Sequence, residues 1–464
     1  MKKLLTVFIV LTMVLSIVGC SPKSNEDNQT NNNENKPSYS FINDVNLDQY
    51  SIVYSASDLD YSKRAAEYIK AEILSRTGLD LPLITDGEAE RVNEIVVGNT
   101  NRAISESLDA ETGDLQFAIL AEGGDVALEA DYFVIAAAAY YFIETYVPSD
   151  DYKASVPNET RVLDPIVKEA KNYIVMIGDG MGVYQTKMFD YMENNYDFSD
   201  GEDLFYGYML PYQGYSRTDS LSGTTDSAAG GTALSSGRKT YNEYIGRGPD
   251  GSDVQLITEL AISLGMKAGV MSTETQTGAT PASFSAHASD RDSSSAIRES
   301  QTSLQTQLGL VLKCGFTTPK VIDSYISETI SKIENENGFF LMYEEAFIDK
   351  KCHNNDIDGT FEAVVRFNQA IGFVMEYAFY NPDTFVLITA DHETGGLAPD
   401  GNGVLTYSSG EHTSADVPVF AYGYSAELFD GQTVENIQIP MTIASFMGVY
   451  DFGDQSVFSY LGKE

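Results

Sequence analysis

The 464-residue sequence predicts an α/β fold, a mostly parallel central sheet with helices on both faces, preceded by a small α+β domain. Two observations carry this expectation. From about Asp164 onward, unbroken apolar runs lead into acids: Tyr173–Ile177 before Asp179, Phe339–Met342 before Glu344, and Phe385–Ile388 before Asp391. Such runs, separated by helical stretches, are the mark of parallel strands buried on both faces. In open α/β sheets ligands gather beyond the carboxyl ends of the strands, which is where these acids fall.

The elements follow in chain order. Residues 1–20 read as a secretory leader: Met1-Lys2-Lys3 is basic, and Leu4 to Val18 is almost wholly apolar. Ile17-Val18-Gly19-Cys20 resembles the bacterial lipobox, which implies cleavage before Cys20 and lipid on its thiol. Residues 21–40 are a polar tether, too poor in apolar side chains to offset their chain entropy. The expected location is therefore the extracellular face of the cell membrane, with the protein held there by lipid.

Residues 41–163 form the expected accessory domain. Strands are expected at Tyr50–Tyr54, Leu81–Ile84, Glu94–Gly98 and Leu115–Leu120. Ala65, Ala66, Tyr68, Ile69, Ile73 and Leu74 recur at helical spacing, predicting a helix over Tyr61–Ser75 that stops at Gly78. A second, aromatic helix is expected over Asp131–Tyr146. This stretch contains no His and no Cys, so it reads as a structural or docking module.

Residues 164–464 carry the candidate chemistry. The formal net charge of −39 argues against nucleic acid as a partner. An anionic substrate would need concentrated local positive charge, which bound metal ions can supply. All 4 histidines lie in this region. Asp349 and His353 stand at i and i+4, on one face of a helix. Asp391-His392 closes a buried strand, and His412 lies in a Gly-Glu-His-Thr loop. Mixed imidazole and carboxylate ligands suit zinc. Cys314 and Cys352 could pair or stay free, and the spacing does not decide between them.

Ser227 follows Asp226 and opens Ser-Ala-Ala-Gly-Gly-Thr-Ala-Leu, a helix start built of small residues. There a hydroxyl meets the positive end of the helix dipole and free backbone N–H groups, which favour an alkoxide and bind phosphate oxygens. Serine alone is a weak nucleophile and needs an activator such as a metal.

Six motifs then occur in order: IGDGMG at Ile177–Gly182, TDSAAGGTALSSG at Thr225–Gly237, GATPASFSAHASDR at Gly278–Arg291, EEAFIDKKCH at Glu344–His353, TADHETGG at Thr389–Gly396 and GEHT at Gly410–Thr413. Together they resemble the ordered motifs of the alkaline phosphatases. The resemblance implies hydrolysis of phosphate monoesters through a phosphoserine on Ser227. It implies one zinc on Asp349, His353 and His412, and a second on Asp179, Asp391 and His392, facing Ser227. It also implies a magnesium on Asp179, Thr280 and Glu344. Arg291 matches the arginine that clamps phosphate, and Lys350 a position that in some relatives reaches phosphate through water.

Two departures stand out. Two residues before Thr280, where relatives place an Asp or His that supports the magnesium waters, this chain has Gly278, so weak magnesium binding is expected. The stretch from Arg291 to Glu344 is also shorter than in relatives, which leaves substrate range and subunit contacts open, a homodimer among the alternatives. Rival readings are a phosphodiesterase on the same metal scaffold and a non-catalytic metal- or glycan-binding surface lipoprotein. Ser227 with Arg291 favours monoesters over diesters. His287 reads as structural, on a short helix leading to Arg291 and bonded to nearby backbone.

Overall fold

The computed structural model describes residues 41–57, 60–108, 112–147, 153–192, 204–316 and 322–454. The leader, Cys20 and the tether lie outside the described residues. The chain divides into two compact units, one running to Ile166 and including Met375–Tyr380, the other comprising Val167–Val374 and Asn381 onward.

In the smaller unit the elements are β1 (Ser51–Tyr54), α1 (Asp60–Thr77), β2 (Leu83–Thr85), β3 (Glu94–Val97), β4 (Phe117–Glu122), β5 (Asp125–Glu129), α2 (Ile135–Tyr146) and β6 (Arg161–Leu163). The sheet order is β2-β1-β3-β5-β4-β6. The first four of these are parallel, and β4 runs antiparallel to both its neighbours. The strand β5 was not among the expected ones. It follows β4 through Gly123 and Gly124, whose φ values of 64° and 108° make the tight hairpin turn. Ala65, Ala66, Ile69 and Ile73 of α1 are buried as their spacing predicts, whereas Leu74 is exposed.

The larger unit is built on eight strands: β7 (Asn172–Gly178), β8 (Tyr212–Arg217), β9 (Lys267–Ser272), β10 (Val311–Cys314), β11 (Phe339–Glu345), β12 (Thr384–Thr389), β13 (Val417–Tyr422) and β14 (Thr433–Glu435). They stand in the order β10-β9-β11-β7-β12-β13-β8-β14. The five from β10 to β12 are mutually parallel, and β13 is antiparallel to both its neighbours. The mostly parallel sheet expected from the sequence is what forms.

Alternation along the central strands sends side chains to two covered faces. Tyr173, Val175, Ile177, Phe340, Met342, Phe385 and Leu387 join a core with Leu234, Ile257, Leu260, Leu304, Ile439 and Met441 from helices on that face. On the other face Tyr343 stacks on Phe367, with ring centroids 6.2 Å apart. Phe367 belongs to the long helix Ile357–Tyr380.

The same alternation splits the adjacent acids Glu344 and Glu345. Glu345 is fully buried and accepts two bonds from Arg366, at 2.7 Å and 2.6 Å, and one from the Phe347 N–H at 3.0 Å. Arg366→Ala would leave that carboxylate buried without its cation. The expected cost is about 3–5 kcal/mol of stability, read by denaturant unfolding; a loss under 1 kcal/mol would show that the pair behaves like a surface one.

Candidate active site

The acids at the strand ends converge at the carboxyl edge of the sheet. Asp179 follows β7, Glu344 ends β11 and Asp391 follows β12. The paired register puts Ile177 beside Glu344 on one side and beside Thr389 on the other, so these ends lie level. The helix α3 (Ser227–Ser236) brings Ser227 to the same edge. Its small residues permit this, since a Cβ on Gly230 would come within 2.8 Å of the Asp391 carbonyl oxygen.

Ser227 is the first residue of α3 and is buried. Asp226 caps the helix, accepting the Ala229 N–H at 2.9 Å and the Glu243 N–H at 3.0 Å. The same carboxylate accepts from Arg291 Nη1 at 3.0 Å. One acid thus fixes both the start of the helix that carries Ser227 and the Arg291 guanidinium, a link that residue spacing does not reveal. The Ser227 hydroxyl lies 3.2 Å from His392 Nε2.

Among the described residues, two groups of three side chains have ligand atoms within 4.8 Å of one another: Asp349, His353 and His412; and Asp179, Asp391 and His392. They coincide with the two sets read from the sequence. In the first group His353 Nδ1 meets the Gly410 carbonyl at 2.6 Å, and His412 Nδ1 meets the Thr225 carbonyl at 2.9 Å. A carbonyl only accepts, so both Nδ1 atoms carry hydrogen, and in the neutral rings both Nε2 atoms present lone pairs. Those two Nε2 atoms are 3.1 Å apart, and they stand 3.3 Å and 3.5 Å from Asp349 Oδ1. With the rings neutral, three electron-rich atoms face one another, an arrangement that a metal ion or a proton among them would stabilise. Burial would raise the Asp349 carboxyl, but contacts from His353 and His412 hold it well below the usual range. The Asp349 contact in turn lifts His353 to about 9.

The second group is fully buried around His392. Thr394 Oγ1 donates to Asp349 Oδ1 at 2.6 Å, so it accepts from His392 Nδ1 at 3.2 Å. That leaves His392 Nε2 as a lone pair directed towards Ser227, Asp391 Oδ2 at 3.4 Å and Asp179 Oδ1 at 3.5 Å. A hydroxyl rather than a carboxylate orients this ring, which suits a metal ligand better than the base of a serine triad. Burial, and then the charges of Asp391, Asp349 and Glu344, push the Asp179 carboxyl well up.

The remaining candidates are close by. Thr280 is buried, its hydroxyl 3.5 Å from Asp391 Oδ2. Glu344 Oε2 accepts from the Ser272 hydroxyl. Its other oxygen, Oε1, and Asp179 Oδ1 are buried with no hydrogen-bond donor among the described residues. Lys350 Nζ binds Glu274 Oε2 at 2.6 Å. The buried acceptors without donors, and the mutual repulsion among the carboxylates, fit bound cations.

His287 differs in part from expectation. The helix before it ends at Ser283, so His287 lies in a loop rather than on a helix. Its ring does bond to backbone, but to the distant Gly246 carbonyl at 2.7 Å, with Glu259 at 3.4 Å from the other nitrogen. Cys314 and Cys352 are both free thiols.

Comparison with known proteins agrees with this geometry. The profile of the family described as alkaline phosphatase matches residues 170–311 and 323–409. Alkaline phosphatase 3 of Bacillus subtilis is 30% identical over 299 residues, covering 52% of this chain and 65% of that protein. The match thus spans just under two thirds of that relative. Among solved structures, alkaline phosphatase from the Antarctic bacterium TAB5 superposes with a TM-score of 0.53 at 26% identity, covering 62% of this chain and 100% of that one. A histidine-to-glutamate variant of the TAB5 enzyme, with magnesium bound in its M3 site, superposes with a TM-score of 0.51.

Proposed function

Because this chain belongs to the alkaline phosphatase superfamily, we propose that it hydrolyses phosphate monoesters outside the cell through a phosphoserine on Ser227. The observation that supports this most directly is the Ser227 hydroxyl at a capped helix N-terminus, 3.2 Å from Nε2 of His392 in one cluster of ligand atoms, whose ring stacks on His412 of the other. Asp349, His353 and His412 would hold one zinc, and Asp179, Asp391 and His392 the other. Asp179, Thr280 and Glu344 would hold a magnesium. When bound, the metals lower the pKa of the serine hydroxyl, neutralise the leaving oxygen and activate water.

The chain's own groups do the rest. Ser227 Oγ loses its proton and attacks phosphorus, and the bond from phosphorus to the ester oxygen breaks. The departing oxygen takes up a proton. The N-terminus of α3 offers backbone N–H groups to the non-transferring oxygens. Arg291, held by Asp226, adds a planar pair of donors suited to a doubly charged terminal phosphate. Water then attacks the phosphoserine, the bond from phosphorus to Oγ breaks, Oγ takes up a proton given up by the water, and inorganic phosphate leaves with Ser227 restored.

The lipobox-like Cys20 supports a lipid-anchored, extracellular setting. The decisive experiment compares a chromogenic phosphate monoester with its diester and measures metal content in the same sample. Faster hydrolysis of the diester would favour a phosphodiesterase on this scaffold, and no turnover by zinc-loaded protein would favour a binding role. In the same assay Arg291→Ala is expected to lower kcat/KM for the monoester roughly 100-fold and to affect the singly charged diester less. Equal losses for both substrates would remove the argument that Arg291 selects monoesters.

A further inference from the structure

The space beside Gly278 is already filled. Gly278 caps the helix Ala279–Ser283 with φ −58° and ψ 152°, a conformation open to any residue. Its lack of a side chain is therefore not a backbone requirement. A Cβ built there would lie 1.7 Å from Glu274 Oε1 and 2.0 Å from Glu274 Cδ, far inside contact distance. The carboxylate of Glu274 stands where a side chain at 278 would begin, and glycine is what admits it.

Several contacts hold Glu274 in that place. Its backbone N–H donates to Ser272 Oγ at 2.9 Å, and the Ser272 hydroxyl donates onward to Glu344 Oε2. Its carbonyl accepts the Gly315 N–H at 2.6 Å. Lys350 Nζ sits 2.6 Å from Oε2. Ser272 ties Glu274 to Glu344, and the strand register sets Asp179 at the same sheet edge. These two residues carry the buried oxygens without donors, Glu344 Oε1 and Asp179 Oδ1. Another carboxylate beside them is unfavourable in an ion-free site. It becomes favourable once a hydrated hard cation is bound, because magnesium keeps several waters that need acceptors.

We propose that Glu274 is a positioning residue for the magnesium site: admitted by Gly278 and oriented by Lys350, its carboxylate accepts hydrogen bonds from waters of the cation held by Asp179, Thr280 and Glu344. The assignment rests on the three-metal reading above. It reverses the expectation that Gly278 weakens the site, since the missing carboxylate arrives from four residues upstream. It also reassigns Lys350 from reaching phosphate to orienting Glu274. A carboxylate introduced at 278 competes with Glu274 for one space.

The test uses zinc-loaded, magnesium-free full-length protein, titrated with magnesium in a calorimeter, with zinc content measured alongside. Glu274→Ala is expected to weaken magnesium binding roughly 10- to 100-fold, and Glu274→Gln less. Gly278→Asp alone is expected to weaken it too, through collision with Glu274. The double variant Glu274→Ala with Gly278→Asp is expected to regain most of the affinity, which a merely structural role for Glu274 would not produce. If the alanine variant fails to fold, Glu274→Gln carries the comparison. Unchanged affinity in the Glu274 variants with zinc intact would overturn this role and leave the three-metal reading standing. A double variant no tighter than Glu274→Ala would also overturn it. No saturable magnesium uptake by the wild type would overturn both.

Discussion

Ser227→Ala is expected to reduce kcat for a phosphate monoester by roughly 1000-fold or more, the loss that follows removal of a covalent nucleophile. The fold should survive the change. The helix cap belongs to Asp226, whose bonds to the Ala229 and Glu243 N–H groups do not involve the serine hydroxyl. Alanine is also a strong helix former, and the next two residues of α3 are already alanine. Both groups of ligand atoms remain, so zinc content should match the wild type. Wild-type protein quenched in acid during turnover should carry phosphate on the peptide containing Ser227. Full activity in the alanine variant, or no labelled serine in the wild type, would point to direct attack by water.

Much of this site is legible in the sequence because it follows from one-dimensional patterns. Strands buried on both faces write themselves as apolar runs, and their carboxyl ends mark Asp179, Glu344 and Asp391. A helical turn writes Asp349 and His353 four residues apart, and α4 (Phe347–His353) places them together. What the patterns omit is contact between distant segments. The carbonyls of Thr225 and Gly410 fix which nitrogen of His412 and His353 turns towards Asp349, and a backbone carbonyl leaves no trace in residue identity. The hydroxyl of Thr394 does the same for His392 from two residues away, at a distance where no periodic rule applies.

Gly278 shows the limit most plainly. Position 278 lacks a carboxylate, and a reading residue by residue infers a weakened site. The loop from Thr273 to Thr277 turns back on itself instead, so the Glu274 side chain occupies the empty volume. Neither residue signals this alone, because a glycine and a glutamate four apart are unremarkable in a loop. The direction of β13 is equally silent. Val417–Tyr422 is as fully buried as Thr384–Thr389 beside it, a strand of the parallel set, so composition does not reveal that it runs the other way.

His412→Ala is expected to lower zinc content from two ions to one per chain and to reduce kcat by about 1000-fold, the several kcal/mol that a Lewis acid contributes to transition-state charge. The substitution removes one of three ligand atoms and leaves His353 Nε2 and Asp349 Oδ1 to face each other at 3.3 Å. Two protein ligands hold zinc far less tightly than three. The second group does not include His412, so its ion should stay. That asymmetry distinguishes loss of one site from general unfolding, which would release both. His412 is also part buried and stacks on His392, with ring centroids 3.6 Å apart. A control is therefore needed for lost packing. His412→Gln keeps much of the volume but offers an amide in place of the imidazole, and it should lose zinc almost as completely as alanine. Excess zinc should restore activity partly in the glutamine variant and fully in chelated wild type. If both variants keep two zinc ions and wild-type turnover, His412 is not a ligand, and the lone pairs converging on Asp349 are balanced by a proton instead of a metal.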